Sequence, residues 1–182
     1  MRPRFLHRCF VAFVAAASLA LVATSCSSPA TTKAAVVTPT TNTGLCKLVA
    51  PSVVATALEE SMTPAETLAH GSTTECVYRA KEGTGATVLI LFKTDSSASA
   101  FAKSRENFER RGLKLGPITG LGDQAYYFSE QAGKSSVTTV AAVKGSLQLL
   151  VTGTGTLDQI GSIARFTLNE YETMHSPSRS SG

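Results

Sequence analysis

The feature that most constrains the fold is a run of five apolar residues, Val88 to Phe92, with no polar residue between them. A half-buried strand alternates apolar and polar residues, because successive side chains point to opposite faces of a sheet. A strand that is apolar at every position is typical of one that is covered on both faces or lies centrally in its sheet. The sequence therefore predicts such a strand over residues 86–93.

Further strands are predicted on both sides of this run. Residues 74–80 have strand composition, and the glycine-containing segment 81–85 predicts a turn that leads into the central strand. Three more strands are predicted over residues 124–129, 136–144 and 146–152.

Helices are predicted before, between and after these strands. Pro51 suits the first turn of a helix over about residues 50–60. Asp95 is expected to cap a second helix that carries Phe101 and Phe108 on one face and ends at Gly112. The exposed face of that helix is expected to hold a Glu106–Arg110 pair. A closing helix is predicted to begin with the capping-box segment 156–159 and to continue to Tyr171.

The predicted order of elements is α-β-β-α-β-β-β-α. Strands that follow one another in hairpin-like runs favour a mostly antiparallel sheet of about five strands with helices packed on it, which is the α+β class. This single domain is expected over residues 44–172. Residues 26–43 are rich in Ser, Thr, Pro and Ala and predict a disordered tether, and residues 173–182 predict a flexible tail.

The first 25 residues have the pattern of a signal peptide. A basic segment with Arg2, Arg4 and Arg8 precedes an apolar run from Phe10 to Ala23 that is too short to span a membrane. The small residues that follow and Cys26 resemble a bacterial lipobox, although Ala23 stands where a lipobox usually has Leu. This resemblance implies a diacylglycerol group on Cys26 and a chain that is lipid-anchored on the extracytoplasmic face of the cell membrane. Ordinary secretory cleavage at the same bond is the alternative.

Four cysteines are present, and two of them are already assigned by this interpretation. Cys9 lies in the signal peptide and Cys26 would carry the lipid, which leaves Cys46 and Cys76. Two remaining cysteines in an oxidising envelope usually pair. We therefore predict a structural disulfide, and closing its loop of about 31 residues is expected to stabilise the fold by roughly 3–4 kcal/mol.

Several short motifs occur in a characteristic order. After the lipobox and the tether come Cys46-Lys47-Leu48 at a helix start, Cys76-Val77-Tyr78 on a strand, and residues 120–126 (Gly-Leu-Gly-Asp-Gln-Ala-Tyr) leading into another strand. This order resembles small actinobacterial envelope lipoproteins of the domain of unknown function 3558 type, with Tyr78 in place of the usual Trp. The resemblance covers about residues 44–172. It implies an envelope location and an α+β fold, and that family has no settled activity.

The sequence offers little chemistry for catalysis. His70 is the only histidine between the signal peptide and the tail, and it is expected in a surface loop beside Gly71. The glycine segments 120–122 and 153–156 lack the remainder of a phosphate-binding motif and predict turns. We predict no catalytic residue, no cofactor and no metal site.

Net charge also argues against a nucleic-acid partner. The chain has 17 basic and 13 acidic residues, and removing the three signal-peptide arginines leaves 14 against 13, a net charge of about +1. The expected function is therefore a non-catalytic binding or accessory module whose partner is an envelope protein, a cell-wall polymer or a lipid. The aromatic residues Tyr126, Tyr127 and Phe128 are expected to pack in the core, although alternation along the strand implies that at least one of them faces outward. An exposed apolar or aromatic position near Tyr126-Tyr127 is expected to make the contact.

The alternative function is a carrier or sensor that holds a small apolar molecule between helix and sheet. A dry internal cavity would favour the carrier. A filled core with an exposed apolar patch would favour the binding module.

Overall fold

A computed structural model of the protein describes residues 43–82 and 85–175. The predicted signal peptide, Cys26 and nearly all of the predicted tether therefore lie outside the described residues. So do the last seven residues of the predicted tail.

The described residues form four helices and a seven-stranded sheet. The helices are α1 (Thr43–Lys47), α2 (Pro51–Leu58), α3 (Ala98–Arg110) and α4 (Leu157–His175). The strands are β1 (Glu66–His70), β2 (Thr73–Arg79), β3 (Thr87–Lys93), β4 (Gly116–Pro117), β5 (Gln124–Ala132), β6 (Ser135–Lys144) and β7 (Leu147–Gly153).

Every neighbouring pair of strands is antiparallel, in the spatial order β1-β2-β3-β7-β6-β5-β4. The sheet thus consists of two meanders, β1 to β3 and β4 to β7, in which strands pair with their neighbours in the chain. The meanders join at one seam, where β3 pairs with β7 from Val88↔Gly153 to Lys93↔Gln148.

The predicted α+β class with an antiparallel sheet is confirmed, but the predicted count and order of elements are wrong in detail. The sheet has seven strands instead of about five, because β1 and β4 were not predicted, and α1 is an additional helix. β1 contains Glu, Ala and His, which have weak strand preference, and its pairing with β2 compensates for this. α4 continues to His175, past the predicted start of the tail.

Local signals at the helix ends were partly correct. Thr156 and Gln159 form the predicted capping box: each side-chain oxygen accepts from the other residue's backbone N–H, at 3.3 and 2.9 Å. The predicted cap of α3 is wrong, because Ser97 and not Asp95 is the N-cap, accepting from the Ala100 N–H at 3.2 Å. The ion pair on the exposed side of α3 joins Arg105 and Glu109, at 3.1 Å, and not Glu106 and Arg110 as predicted.

The two faces of the sheet differ in how they are covered. Helices α1, α2 and α4 pack on one face, which we call the closed face, and bury the apolar side chains that β2, β3, β6 and β7 direct toward them. Helix α3 packs on the opposite face, over a smaller cluster formed by Phe101, Tyr126, Phe128, Ala141 and Val143. The main core therefore lies on the closed face.

Candidate docking surface

Strand β3 shows the difference between the two faces within one segment. Val88, Ile90 and Phe92 are fully buried on the closed face, whereas Leu89 and Leu91, which point the other way, are only half-buried. The predicted central position of this strand is confirmed, since it lies between β2 and β7. Its second face is only partly covered, so two large apolar side chains reach solvent.

Neighbouring strands extend this exposed apolar surface. In the cross-strand register, Val77 lies opposite Leu89, and Leu68 lies in the same row as Leu91 with Glu75 between them. Side chains directly opposite one another in an antiparallel pair share a face. Leu68 is 62% exposed, an unusual fraction for a leucine. None of these four apolar residues belongs to a packed core cluster of the described chain. We call Leu68, Val77, Leu89 and Leu91 the open face.

Helix α3 leaves this region uncovered because its aromatic residues attach it to the other half of the sheet. Phe101 packs on Tyr126 with ring centroids 5.1 Å apart, and Phe108 packs on Phe128 at 4.7 Å. Both partners lie on β5, and Leu150 of β7 packs at the margin of the same cluster. The cluster beneath α3 thus ends at Leu150, beside the seam, and it includes no residue of β1, β2 or β3.

Charged side chains of both signs lie around the open face, and one of them, Glu75, lies between Leu68 and Leu91. Arg79 and Glu66 form an ion pair at 3.5 Å, with both side chains more than half exposed. The register places Glu75, His70 and Lys93 on the same side of the sheet. An apolar centre with a mixed polar rim is the usual composition of a protein–protein interface.

The closed face behind the open face is held by specific contacts. Cys46 of α1 is bonded to Cys76 of β2, with their Cα atoms 5.5 Å apart, so the structure contains the disulfide that the sequence predicts. The Tyr78 hydroxyl, also on β2, donates to the Val49 carbonyl at 2.7 Å. Burial raises the pKa of Tyr78 to about 12, so this donor keeps its proton at neutral pH. Both contacts attach the first helices to the strand that carries Val77.

The surface expected near Tyr126-Tyr127 is not where the exposed apolar residues lie. Tyr126 and Phe128 are buried beneath α3, and Tyr127 is half-buried on the closed face, so the prediction of an exposed aromatic surface there is wrong. The alternation that places Tyr127 opposite to its neighbours is confirmed. Burial raises the pKa of Tyr126, and the nearby Ser104 side chain partly opposes that rise. The Tyr126 hydroxyl has no hydrogen-bond partner of good geometry among the described residues.

His70 is exposed, as predicted, but it is the last residue of β1 and not part of a loop. Pairing with Thr73 across the turn at Gly71-Ser72 holds it in the strand. The open-face residues Leu68 and Val77 were not identified from the sequence. Only the alternation of Glu66, Leu68 and His70 on one side of a short strand could have indicated Leu68.

The segment that resembles the family motif, Gly120 to Asp123, forms the predicted turn. Gly120 and Gly122 have positive φ values of 70° and 62°, and a Cβ at Gly122 would lie 2.5 Å from the Val143 carbonyl oxygen. The Asp123 carboxylate accepts from the Gly145 N–H at 2.8 Å and lies 3.4 Å from the Lys144 Nζ. The Gly145 hydrogen bond, followed by the contacts with Lys144, lowers the pKa of Asp123. This segment therefore connects β5 to the β6–β7 turn and has a structural role.

Two surface grooves are relevant to the alternative function of a carrier. One, of about 390 Å³, lies between α2 and α4 and includes Val53 and Phe166. The other, of about 410 Å³, lies between the start of α2 and β1 and includes Val49 and Thr67. Both grooves are open to solvent, whereas a carrier of an apolar molecule would enclose it. They give the carrier less support than the open face gives to a docking function.

Known proteins do not identify a role for this surface. No protein-family model, curated protein or solved structure matches the chain. Within residues 43–82 and 85–175, His, Cys, Asp and Glu side chains do not gather in a group of three that could hold a metal ion. None of the helices in these segments is both long and apolar enough to cross a membrane.

Proposed function

We propose that the protein is a lipid-anchored, non-catalytic binding module of the cell envelope, resembling the domain of unknown function 3558 type, and that its open face binds a protein partner. The observation that carries this proposal is the incompletely covered apolar surface of β1, β2 and β3, where Leu68 is 62% exposed and Val77, Leu89 and Leu91 are half-buried. Monomeric proteins rarely leave contiguous apolar surface exposed unless it has a function.

The rim supports a protein as the partner over a lipid surface or an anionic polymer. A membrane-binding or polymer-binding face would be expected to carry an excess of basic residues around its apolar centre. Here there are two acidic residues, Glu66 and Glu75, and two basic residues, Arg79 and Lys93. Charges of both signs suit a partner that presents both signs in return.

The anchor is tested with Cys26→Ala in the full chain. We expect the parent to be in the membrane fraction and to incorporate labelled palmitate, because a thioether-linked diacylglycerol requires the sulfur of Cys26. The variant should be released into the soluble fraction without label. Palmitate on the Cys26→Ala chain would contradict the anchor without bearing on the open face.

The docking function is tested with Leu89→Lys and Leu91→Lys in a strain that lacks the native gene. Each places a charge in the apolar centre of the open face, and we expect loss of complementation with normal export. Met174→Lys is the matched control, because Met174 is also a large exposed apolar residue, 57% exposed, but lies at the end of α4.

A photo-crosslinking residue at Val77 adds direct evidence of contact. It should give a protein adduct in intact cells that Leu89→Lys removes and that Met174→Lys preserves. Normal complementation by both open-face variants would refute the docking function.

The non-catalytic part of the proposal is tested separately with His70→Gln. Glutamine keeps an N–H donor at this position but cannot exchange a proton near neutral pH. We expect full complementation, and a folded, exported His70→Gln protein without function would indicate an enzyme.

A further inference from the structure

We propose that the exposed edge of β1 is a self-association site, at which two copies of the chain join through an antiparallel β1–β1 pair with its two-fold axis at Leu68. This inference goes beyond the proposed binding function and does not depend on it. It concerns the edge strand β1 and its residue Leu68, whereas partner binding is tested at Val77, Leu89 and Leu91, the open-face residues on β2 and β3.

The two edges of the sheet differ in their capacity to accept another strand. β4, at one edge, has only two residues and ends in Pro117, whose nitrogen has no hydrogen to donate. β1, at the other edge, has five residues without proline or lysine, two residues that commonly protect edges. Unpaired N–H and C=O groups along such an edge are a template for strand pairing.

The β1–β2 hairpin determines which backbone groups are available. Gly71 and Ser72 form a two-residue turn, with Gly71 at a φ of 58°, and His70 and Thr73 flank it. In a two-residue hairpin the flanking residues form a hydrogen-bonded pair, and such pairs alternate along the strands. The backbone groups of Thr67 and Ala69 therefore point away from β2, toward the open edge.

The side chains of β1 are complementary to a second, antiparallel copy of themselves. With the axis at Leu68, Thr67 and Ala69 of each chain form hydrogen-bonded pairs with Ala69 and Thr67 of the other. Leu68 then meets the Leu68 of the second copy, and Glu66 meets its His70. An imidazole N–H donates to a carboxylate, and the two leucines remove one another from water.

Other antiparallel registers lack this complementarity. In any register, the backbone N–H and C=O groups of Thr67 and Ala69 must point toward the second copy. The two-fold axis can therefore move from Leu68 only to positions that keep these groups paired. An axis at Thr67 would place Leu68 opposite a glutamate, and an axis at Ala69 would place it opposite a histidine. The axis at Leu68 alone pairs the apolar residue with itself and the acid with the imidazole.

Cysteine cross-linking of the full chain in its own membranes tests this register. Residues opposite one another in a non-hydrogen-bonded antiparallel pair have Cα atoms about 4.5 Å apart, which a disulfide can bridge. We expect Leu68→Cys to give a disulfide-linked dimer on a non-reducing gel. Glu66→Cys and His70→Cys should each stay monomeric when expressed alone, and should link to one another when expressed together.

Charge substitution gives an independent readout. Leu68→Lys should raise the dissociation constant of the detergent-solubilised full chain at least about tenfold, since two apolar side chains lose their mutual burial. Circular dichroism establishes that each variant is folded. The proposal is overturned if folded Leu68→Cys gives no dimer under oxidation or links only to a different protein. It is also overturned if the single variants at residues 66 and 70 cross-link equally well, or if Leu68→Lys associates as the parent does.

Discussion

The two faces of the sheet are made from the same strands, but they meet different surroundings. On the closed face, every large side chain of β3 is covered by helices, and a disulfide holds the cover in place. On the open side, α3 covers only the half of the sheet that includes β5 and β6. The comparison shows that apolar residues can occupy both faces of a strand. Which of them are buried, and so stabilise the fold, depends on where the helices pack.

The largest effect is expected from two substitutions at adjacent positions. Ile90→Ala should lower the free energy of unfolding by about 4 kcal/mol, because it opens a cavity in the fully buried closed face. Leu91→Ala should cost less, about 1–2 kcal/mol, since its side chain is only partly buried. Urea denaturation of both variants measures the difference. Similar losses would mean that the open face is covered in the free protein.

Removal of the disulfide should have the next largest effect. Replacing Cys46 and Cys76 together by alanine should lower stability by roughly 3 kcal/mol, because the unfolded chain regains the freedom of a loop of about 31 residues. The measurement is the denaturation midpoint of the double variant, and that of the reduced parent, each compared with the oxidised parent. If reduction leaves the parent's midpoint unchanged, the cover of the closed face does not depend on this bond.

Two tyrosines, one on each face, allow a smaller comparison. Tyr78→Phe should cost about 1–2 kcal/mol, since the buried Val49 carbonyl loses its donor. Tyr126→Phe removes a buried hydroxyl without a good partner, so stability should change by less than about 0.5 kcal/mol or increase. Thermal denaturation of the two variants in parallel is the test, and an equal loss in both would show that the Tyr126 hydroxyl is satisfied.

The smallest effect is expected outside both faces, at Asp123. Its folded-state pKa is lowered, so its carboxylate stabilises the fold above the unfolded pKa of about 4. That contribution is lost as the pH falls through the folded pKa. Asp123→Asn should therefore be less stable than the parent at pH 7, and the difference should shrink in acid, for example at about pH 2. Melting temperatures at both values measure this, with exposed Asp95→Asn as the control for charge. A gap that persists in acid would contradict the assigned role of the carboxylate.

Local sequence patterns predicted the features that depend on a few neighbouring residues. The apolar run at Val88 identified the central strand, and Thr156 with Gln159 identified the start of the last helix. The exposure of Leu89 and Leu91 depends on which half of the sheet α3 covers. The apolar stripe of that helix shows that it packs, but not where. β1 was missed for a similar reason, because its pairing with β2 outweighs its weak strand preference.

The seam between β3 and β7 has a consequence for how the chain folds. Each meander can form from strands that are neighbours in sequence, so its contacts are local and are expected to form rapidly. The seam brings Lys93 to Gln148 and must close a loop of about 55 residues. We expect it to form last, from two preassembled halves. Until then β3, a central strand of the finished sheet, is an edge strand of the first half.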